Sequence, residues 1–235
     1  MKITDSVALV TGANRGLGRQ FARQLLERGA RKVYATARTP EKIDIPGVET
    51  LRLDITDPAS VAAVASAATD VDLLINNAGV STYTNLVTGD LDRIRLELDT
   101  HFYGTLAMIR AFAPLLAANG GGAILNVLSA LSWFSYDGAN AYAVAKAAEW
   151  SLTNGVRLEL AKQRTLVTGV HLGAADTDMM AGYDGPLLDP AQVVRAALDG
   201  VEAGRLEVVV DEWSATVKAA LSRDPHEFYR SSLTA

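Results

Sequence analysis

The sequence predicts a single doubly wound α/β domain: one mostly parallel, seven-stranded sheet with helices on both faces. Three observations lead there. Short β-branched runs alternate with longer Ala- and Leu-rich stretches along the whole chain, which is the pattern of repeated βαβ units. The 235 residues contain no composition shift, low-complexity linker or internal repeat that would divide them, so one core over residues 1–235 is expected. A glycine-rich turn, Thr11 to Gly18, directly follows the first strand-like run, where a strand hands over to a helix.

The strands are read over residues 7–10, 32–37, 50–53, 71–76, 122–128, 165–171 and 206–210. Helices fill the gaps. Over residues 16–28, Leu17, Phe21, Leu25 and Leu26 share one stripe that packs on a sheet. Asp57-Pro58 and Asp189-Pro190 each offer a capping carboxylate followed by a proline whose missing N–H costs nothing at the first helical position. Residues 91–116 and 142–160 read as long, exposed helices. Residues 173–188, rich in Gly, Asp and Met, are the longest irregular stretch late in the chain and the candidate substrate lid. The aromatic-bearing segment 211–235 either joins a subunit contact or covers the pocket.

Composition removes several function classes. With 49% apolar and 21% charged residues, the chain is an ordinary globular composition, and no apolar run approaches the roughly 20 residues that span a bilayer. Residues 1–6 carry no signal-peptide apolar region, so a cytoplasmic location and no membrane partner are expected. There is no cysteine, and the three histidines are scattered, so no metal site is expected. A formal charge of −5 without a basic cluster argues against nucleic acid.

The glycine turn carries the first chemistry. Gly12 and Gly16 let the backbone approach a pyrophosphate, and Gly18 allows close helix packing. The helix N-terminus behind Asn14, Arg15 and Leu17 supplies free N–H donors and partial positive charge. At the end of the second strand the sequence runs Ala35-Thr36-Ala37-Arg38, with no acid to take a ribose 2′-hydroxyl. Arg38 and Arg15 are instead two guanidinium groups suited to a 2′-phosphate, which favours NADP(H). This makes the expected architecture a Rossmann fold, with its dinucleotide-binding part over about residues 1–130 and its catalytic and substrate part over 129–235.

The second chemistry is the pair Tyr142 and Lys146, thirteen residues beyond Ser129. Positions i and i+4 share a helix face, so the Lys146 ammonium can lie against the Tyr142 phenol. A fixed cation favours the phenolate and is expected to lower the tyrosine's proton affinity toward the working range.

On the glycine turn, Asn76-Asn77-Ala78-Gly79 after the fourth strand, Ser129, and the Tyr142 to Lys146 pair, nearly the whole chain resembles the short-chain dehydrogenase/reductase family. The resemblance implies that Asp54, with Ile55 beside it, approaches the adenine, that Asn76 braces the sheet, and that Asn77, Ala78 and Gly79 border the cofactor. It makes Tyr142 the general acid or base, Ser129 the group that polarises the substrate oxygen, and Lys146 the ligand of the nicotinamide ribose. Gly173 and Thr177 lie beside the nicotinamide, and the helices over 91–116 and 142–160 pair subunits into a homodimer or homotetramer. Two positions depart from the family pattern. His101 stands where an asparagine usually supports a water chain to Lys146; imidazole can pass the proton itself or serve as a packed, hydrogen-bonded side chain. Leu172 stands where a proline usually precedes Gly173, which predicts a freer lid.

Trp133, Phe134 and Tyr136 follow Ser129 closely, and Met179, Met180 and Tyr183 lie in the candidate lid. They wall an apolar pocket or belong to ordinary packing. The substrate class this favours is a neutral, hydrophobic ketone or aldehyde, reduced to the alcohol by hydride transfer. The alternative is an NADP(H)-binding regulatory or sensor protein with weak or no catalysis. A serine hydrolase built on Ser129 and His171 lacks the nucleophile elbow.

Overall fold

A computed structural model of the chain describes residues 1–233, with side chains through residue 230. Its strands are β1 Val7–Thr11, β2 Lys32–Ala37, β3 Glu49–Arg52, β4 Leu73–Asn76, β5 Ala123–Val127, β6 Leu166–His171 and β7 Glu207–Val209. They form one seven-stranded sheet in the order β3-β2-β1-β4-β5-β6-β7. The expected "mostly parallel" sheet is parallel at every pairing. Full parallelism requires both faces to be covered, and β1 and β5 are buried at every residue.

The two faces divide β1 between them. Ala8 and Val10 join a core with Phe21, Leu25, Val193, Ala197 and Val201. Val7 and Leu9 join the opposite core with Val61, Val64, Met108, Phe112 and Val156. The first core is built by helices α1 Gly16–Glu27 and α6 Pro190–Glu202, the second by α2 Pro58–Ala67, α4 Thr105–Ala118 and α5 Asn140–Glu159. Both aspartate-proline pairs open helices: Asp57 accepts from Ala59 N at 3.0 Å, and Asp189 accepts from Ala191 N at 2.8 Å.

Residues 91–116 do not form the single exposed helix expected from their pattern. Helix α3, Leu91–Leu98, passes through a π-helical turn, Asp99–Gly104, into α4. The turn shifts the helical phase between the two, so α4 buries Met108, Ile109, Phe112 and Leu116 while α3 leaves Leu91 and Leu96 exposed. The apolar repeat in α4 is therefore core rather than a subunit surface. A π turn inside an α-helix is rare and often marks a functional position, and here it carries His101.

Beyond β7 the chain forms α7, Glu212–Ala220, and α8, Pro225–Leu233. Their aromatic side chains pack on the loop after Ser129: Phe134 stacks on Tyr229 at 5.7 Å and meets Trp213 edge-on at 5.8 Å, and Ser135 N donates to the Tyr229 hydroxyl at 3.0 Å. The last two residues of the segment 211–235, Thr234 and Ala235, lie outside the described residues. Among the described residues no helix is long and apolar enough to cross a membrane.

Candidate active site

The chain runs from β1 outward through β2 and β3 and then returns to β4 on the other side of β1. A reversal of this kind leaves a crevice outside the carboxyl ends of the strands, where open parallel sheets bind ligands. The glycine turn after β1 and the segment after β4 line it. Thr11 Oγ1 ties them together, accepting from Asn77 N and Ala78 N at 2.9 Å each. Asn77 Nδ2 in turn donates to Thr11 O at 2.8 Å and Gly12 O at 3.3 Å. Gly12 and Gly16 adopt φ of +68° and +51°, the left-handed region that side chains disfavour. The first turn of α1 has no side-chain cap, so its N–H groups face the crevice as an anion site.

Arg15 and Arg38 lie on this rim but are engaged differently. Arg15 Nη1 donates to Asp178 of the lid at 3.1 Å. Arg38 is exposed just past β2, and its charge acts on Asp54. Burial works against the Asp54 carboxylate, but hydrogen bonds from Thr56 and the charges of Arg38 and Arg52 hold the group below its usual range. Ile55, beside it, is 8% exposed.

Across the crevice, Ser129 lies just beyond β5 with extended backbone and caps a short 3₁₀ turn, Ala130–Ser132. Its hydroxyl accepts from Leu131 N at 3.1 Å and also engages the Tyr142 phenol, an interaction that favours the phenolate. Tyr142 and Lys146 share the inner face of α5, with Lys146 Nζ 5.7 Å from the centre of the phenol ring. Lys146 Nζ is anchored at 2.7 Å to Val127 O and at 2.7 Å to Glu149 Oε2.

The electrostatics correct the simple pairing argument. Burial pushes the Tyr142 phenol up, and the buried charges of Glu149 and Glu97 add to it; Lys146 and Ser129 pull the other way without prevailing. The net direction is upward, so Tyr142 is held as a proton-bearing phenol rather than poised toward phenolate. For Lys146 burial disfavours the ammonium, but Glu149, Tyr142 and Glu97 together raise its proton affinity.

His101 is buried at 1% exposure and meets Tyr142 edge-on at 5.1 Å. Its neighbours include two buried carboxylates, Glu97 and Glu149, which sequence reasoning missed. The available signal was a glutamate three residues beyond Lys146, on the inward helical stripe of Ala145, Lys146 and Thr153.

The lid stem is paired, with Asp176 N to Leu188 O at 2.9 Å and Leu188 N to Ala174 O at 2.8 Å. Leu172, in place of a proline, is buried and its carbonyl accepts from Ala130 N at 2.9 Å, and Gly173 N donates to Asp211 at 2.8 Å. Thr177 sits against the glycine turn, its Cγ2 only 3.1 Å from where a Cβ on Gly16 would stand.

Of the pocket residues read from sequence, Trp133 is buried, stacked on His171 at 3.7 Å and edge-on to Trp150 at 6.1 Å. It is a packing element. Phe134 belongs to the C-terminal aromatic cluster, Met179 and Met180 are half-buried in a 3₁₀ turn, and Tyr136 and Tyr183 are exposed. The Met179 carbonyl accepts from the Tyr83 hydroxyl. His171 Nδ1 contacts the Ser129 carbonyl at 3.1 Å rather than its hydroxyl, which leaves no nucleophile and base pair for a hydrolase.

A dinucleotide crevice facing a Ser, Tyr and Lys set defines an oxidoreductase that moves hydride between a nicotinamide and a C–OH/C=O carbon. The short chain dehydrogenase family model matches residues 6–185, and the chain belongs to that family. It is similar to a short-chain dehydrogenase from Burkholderia cenocepacia J2315 solved in complex with NADP, at 39% identity, TM-score 0.95 and full coverage of both chains. A short-chain dehydrogenase from Sphingobium yanoikuyae in complex with NADPH is 25% identical with TM-score 0.83, over 97% of this chain and 94% of that one. An uncharacterised oxidoreductase of Staphylococcus aureus strain MW2 is 30% identical over 210 residues, 83% of this chain and 90% of the relative.

Proposed function

We propose that the chain is an NADP(H)-dependent reductase of a neutral, hydrophobic ketone or aldehyde, working reversibly on the corresponding alcohol. The observation that carries this reading is the set of buried Ser129, partly buried Tyr142 and buried Lys146 opposite the glycine turn. The residues that would hold the cofactor fit it: uncapped N–H groups at α1 for the pyrophosphate, Arg15 and Arg38 on the rim for a 2′-phosphate, and Thr177 against the turn.

When bound, NADPH supplies the hydride. Tyr142 gives its phenol proton to the substrate oxygen as the new C–H bond forms, and Ser129 Oγ hydrogen-bonds the same oxygen and disperses its developing charge. Lys146, fixed between Val127 O and Glu149, places its ammonium beside the phenol as the phenol proton leaves. The Phe134 cluster and the lid methionines give the site an apolar border, and no Lys or Arg stands between Ser129 and Lys146 to attract an anion. Exposed Leu91, Leu96 and Leu158 on the adjoining α3 and α5 support a homodimer or homotetramer.

The test is NADPH consumption by the purified protein against a panel of aliphatic and aromatic ketones and aldehydes, with NADH and Tyr142→Phe as controls. Turnover with NADPH that drops by about 10²-fold or more in the variant, with cofactor affinity kept, is the expected result. Tight NADPH binding with no turnover of any carbonyl would refute it and favour a sensor.

A further inference from the structure

Lys146 is not isolated behind Tyr142. Its ammonium donates to Glu149 Oε2 at 2.7 Å, and the same oxygen lies 3.7 Å from His101 Nδ1. The other ring nitrogen, Nε2, is 3.5 Å from Glu97 Oε2 and 2.7 Å from the Val80 carbonyl. Glu97 Oε1 accepts from Thr82 N at 2.6 Å and from Thr82 Oγ1 at 2.9 Å, and Thr82 is partly open to solvent. The groups therefore follow one another outward from the phenol in the order Tyr142, Lys146, Glu149, His101, Glu97, Thr82, with hydrogen bonds joining Lys146 to Glu149 and Glu97 to Thr82 and separations of 3.7 and 3.5 Å on the two sides of His101.

Three features set this chain of groups apart from ordinary structural pairing. Glu97, His101, Lys146 and Glu149 are each no more than 5% exposed, and buried charges are retained only where they are compensated. Two carboxylates face one ammonium, so one further proton shared among Glu97, His101 and Glu149 balances the group. His101 Nδ1 and Glu97 Oε2 are both buried without a hydrogen-bond partner, although each stands within 4 Å of a group that can exchange a proton with it. The imidazole also has a seat made for it: a Cβ on Gly79 would stand 2.7 Å from His101 Cε1. The cluster is not laid out for a metal, since no metal-holding group of three His, Cys, Asp or Glu occurs among the described residues.

We infer that Glu149 is the positioning residue through which Lys146 exchanges its proton, and that His101 and Glu97 extend this exchange as a side-chain relay to Thr82. In the reductive direction each turnover leaves the Tyr142 and Lys146 pair one proton short. The Glu149 Oε2–H bond breaks as the Lys146 N–H bond re-forms, and His101 Nδ1–H then returns a proton to Glu149. In the same step the ring takes a proton at Nε2 from Glu97, which has drawn it from solvent water at Thr82, and the imidazole returns to its Nδ1–H tautomer before the next turnover. In oxidation the same bonds exchange in reverse. Thr105 Oγ1, 3.2 Å from Glu149 Oε1, fixes the carboxylate. The groups facing the relay are Tyr142 and Lys146 on α5, Thr105 on α4 and Thr82 before α3, and the Lys146 charge also acts on the buried His171.

The kinetic arm of the test rests on the reductase reading; the spectroscopic arm does not. With any panel carbonyl that the wild type turns over, Glu149→Gln should lower kcat on the order of tenfold, leave the KM for NADPH unchanged and displace the pH profile, while Glu149→Asp restores part of the rate. Wild-type kcat and pH profile in Glu149→Gln would overturn the relay. Independently, the ring-nitrogen NMR signals of His101 are assigned with His101→Asn among only three histidines and followed against pH. A pH step at His101 that moves in Glu149→Gln supports the coupling even if no carbonyl is turned over. Signals identical in the wild type and Glu149→Gln would overturn it.

Discussion

Asp178, in the short turn of the lid, accepts a hydrogen bond from Arg15 of the glycine turn at 3.1 Å. Both side chains are about two-thirds exposed, at 63% and 68%, so the pair contributes only about 0–1 kcal/mol to stability. Its consequence is for binding. Asp178 occupies a guanidinium that a 2′-phosphate also needs, while holding the lid against the turn. Asp178→Ala should leave the melting temperature within about 2 °C of wild type and tighten NADPH several-fold. Arg15→Ala should weaken NADPH while changing NADH little. Calorimetric titration with both cofactors checks this, and equal losses for NADPH and NADH in Arg15→Ala would show that Arg15 does not read the phosphate.

Gly18 lies where α1 crosses the turn most closely. A Cβ there would overlap Gly12 O and stand 2.6 Å from Asn77 Nδ2, and both neighbours are fixed by the hydrogen bonds that join β1 to β4. Gly18→Ala therefore displaces backbone rather than a flexible side chain. Overpacking of this kind costs about 1–3 kcal/mol, and the displaced turn should bind NADPH at least tenfold more weakly. Unchanged stability in urea unfolding together with unchanged affinity would contradict this placement.

The glycine turn and the catalytic pair were legible because they are local: a strand-to-helix junction needs glycines at fixed offsets, and i,i+4 spacing sets two side chains on one face. The strands were legible as β-branched runs, with ends misplaced by one or two residues where only hydrogen bonding decides. The illegible parts were set by tertiary contact. The apolar repeat over 91–116 does not show that a π turn divides it, since α3 and α4 both keep helical periodicity. Glu149 and Glu97 look like surface charges until the fold turns them inward. Trp133 reads as a pocket wall until His171 stacks on it. The effect of Lys146 on Tyr142 has the sign that the spacing implies, but burial and two buried glutamates outweigh it.

The raised proton affinity of Tyr142 fixes the pH behaviour of the two directions. Burial comes first among its causes, with Glu149 and Glu97 adding to it, so the phenol keeps its proton throughout the neutral range. Carbonyl reduction needs that proton. Its rate should be level from weakly acidic to neutral pH and fall only on the alkaline side, while alcohol oxidation, which needs the phenolate, should rise with pH. Profiles of kcat in both directions test this. A reduction rate that falls between pH 6 and 8, about the range where an unperturbed imidazole titrates, would assign the acid role to another group.

His171 provides a stability probe separate from catalysis. Burial pushes its imidazole down to about 4, with Lys218, Lys146 and Arg157 pulling the same way and the Ser129 carbonyl opposing. Trp133 covers one ring face, and Glu207 lies 3.6 Å from Nε2. The folded protein therefore holds this ring neutral at pH values where the unfolded chain protonates it. Between about 6.5 and 4 the unfolded state binds the extra proton, so this contribution to stability is complete above 6.5 and is lost as pH falls through the window. At 1.36 kcal/mol per unit, a drop from 6.5 to about 4 corresponds to about 3 kcal/mol. Other acids titrate in the same window, so the difference between wild type and His171→Gln is the informative quantity. The variant should be less stable at pH 7, where a packed ring is lost, and should lose less stability than wild type between pH 6.5 and 4. Parallel urea-unfolding curves for the two proteins across that window would mean that His171 does not carry this linkage.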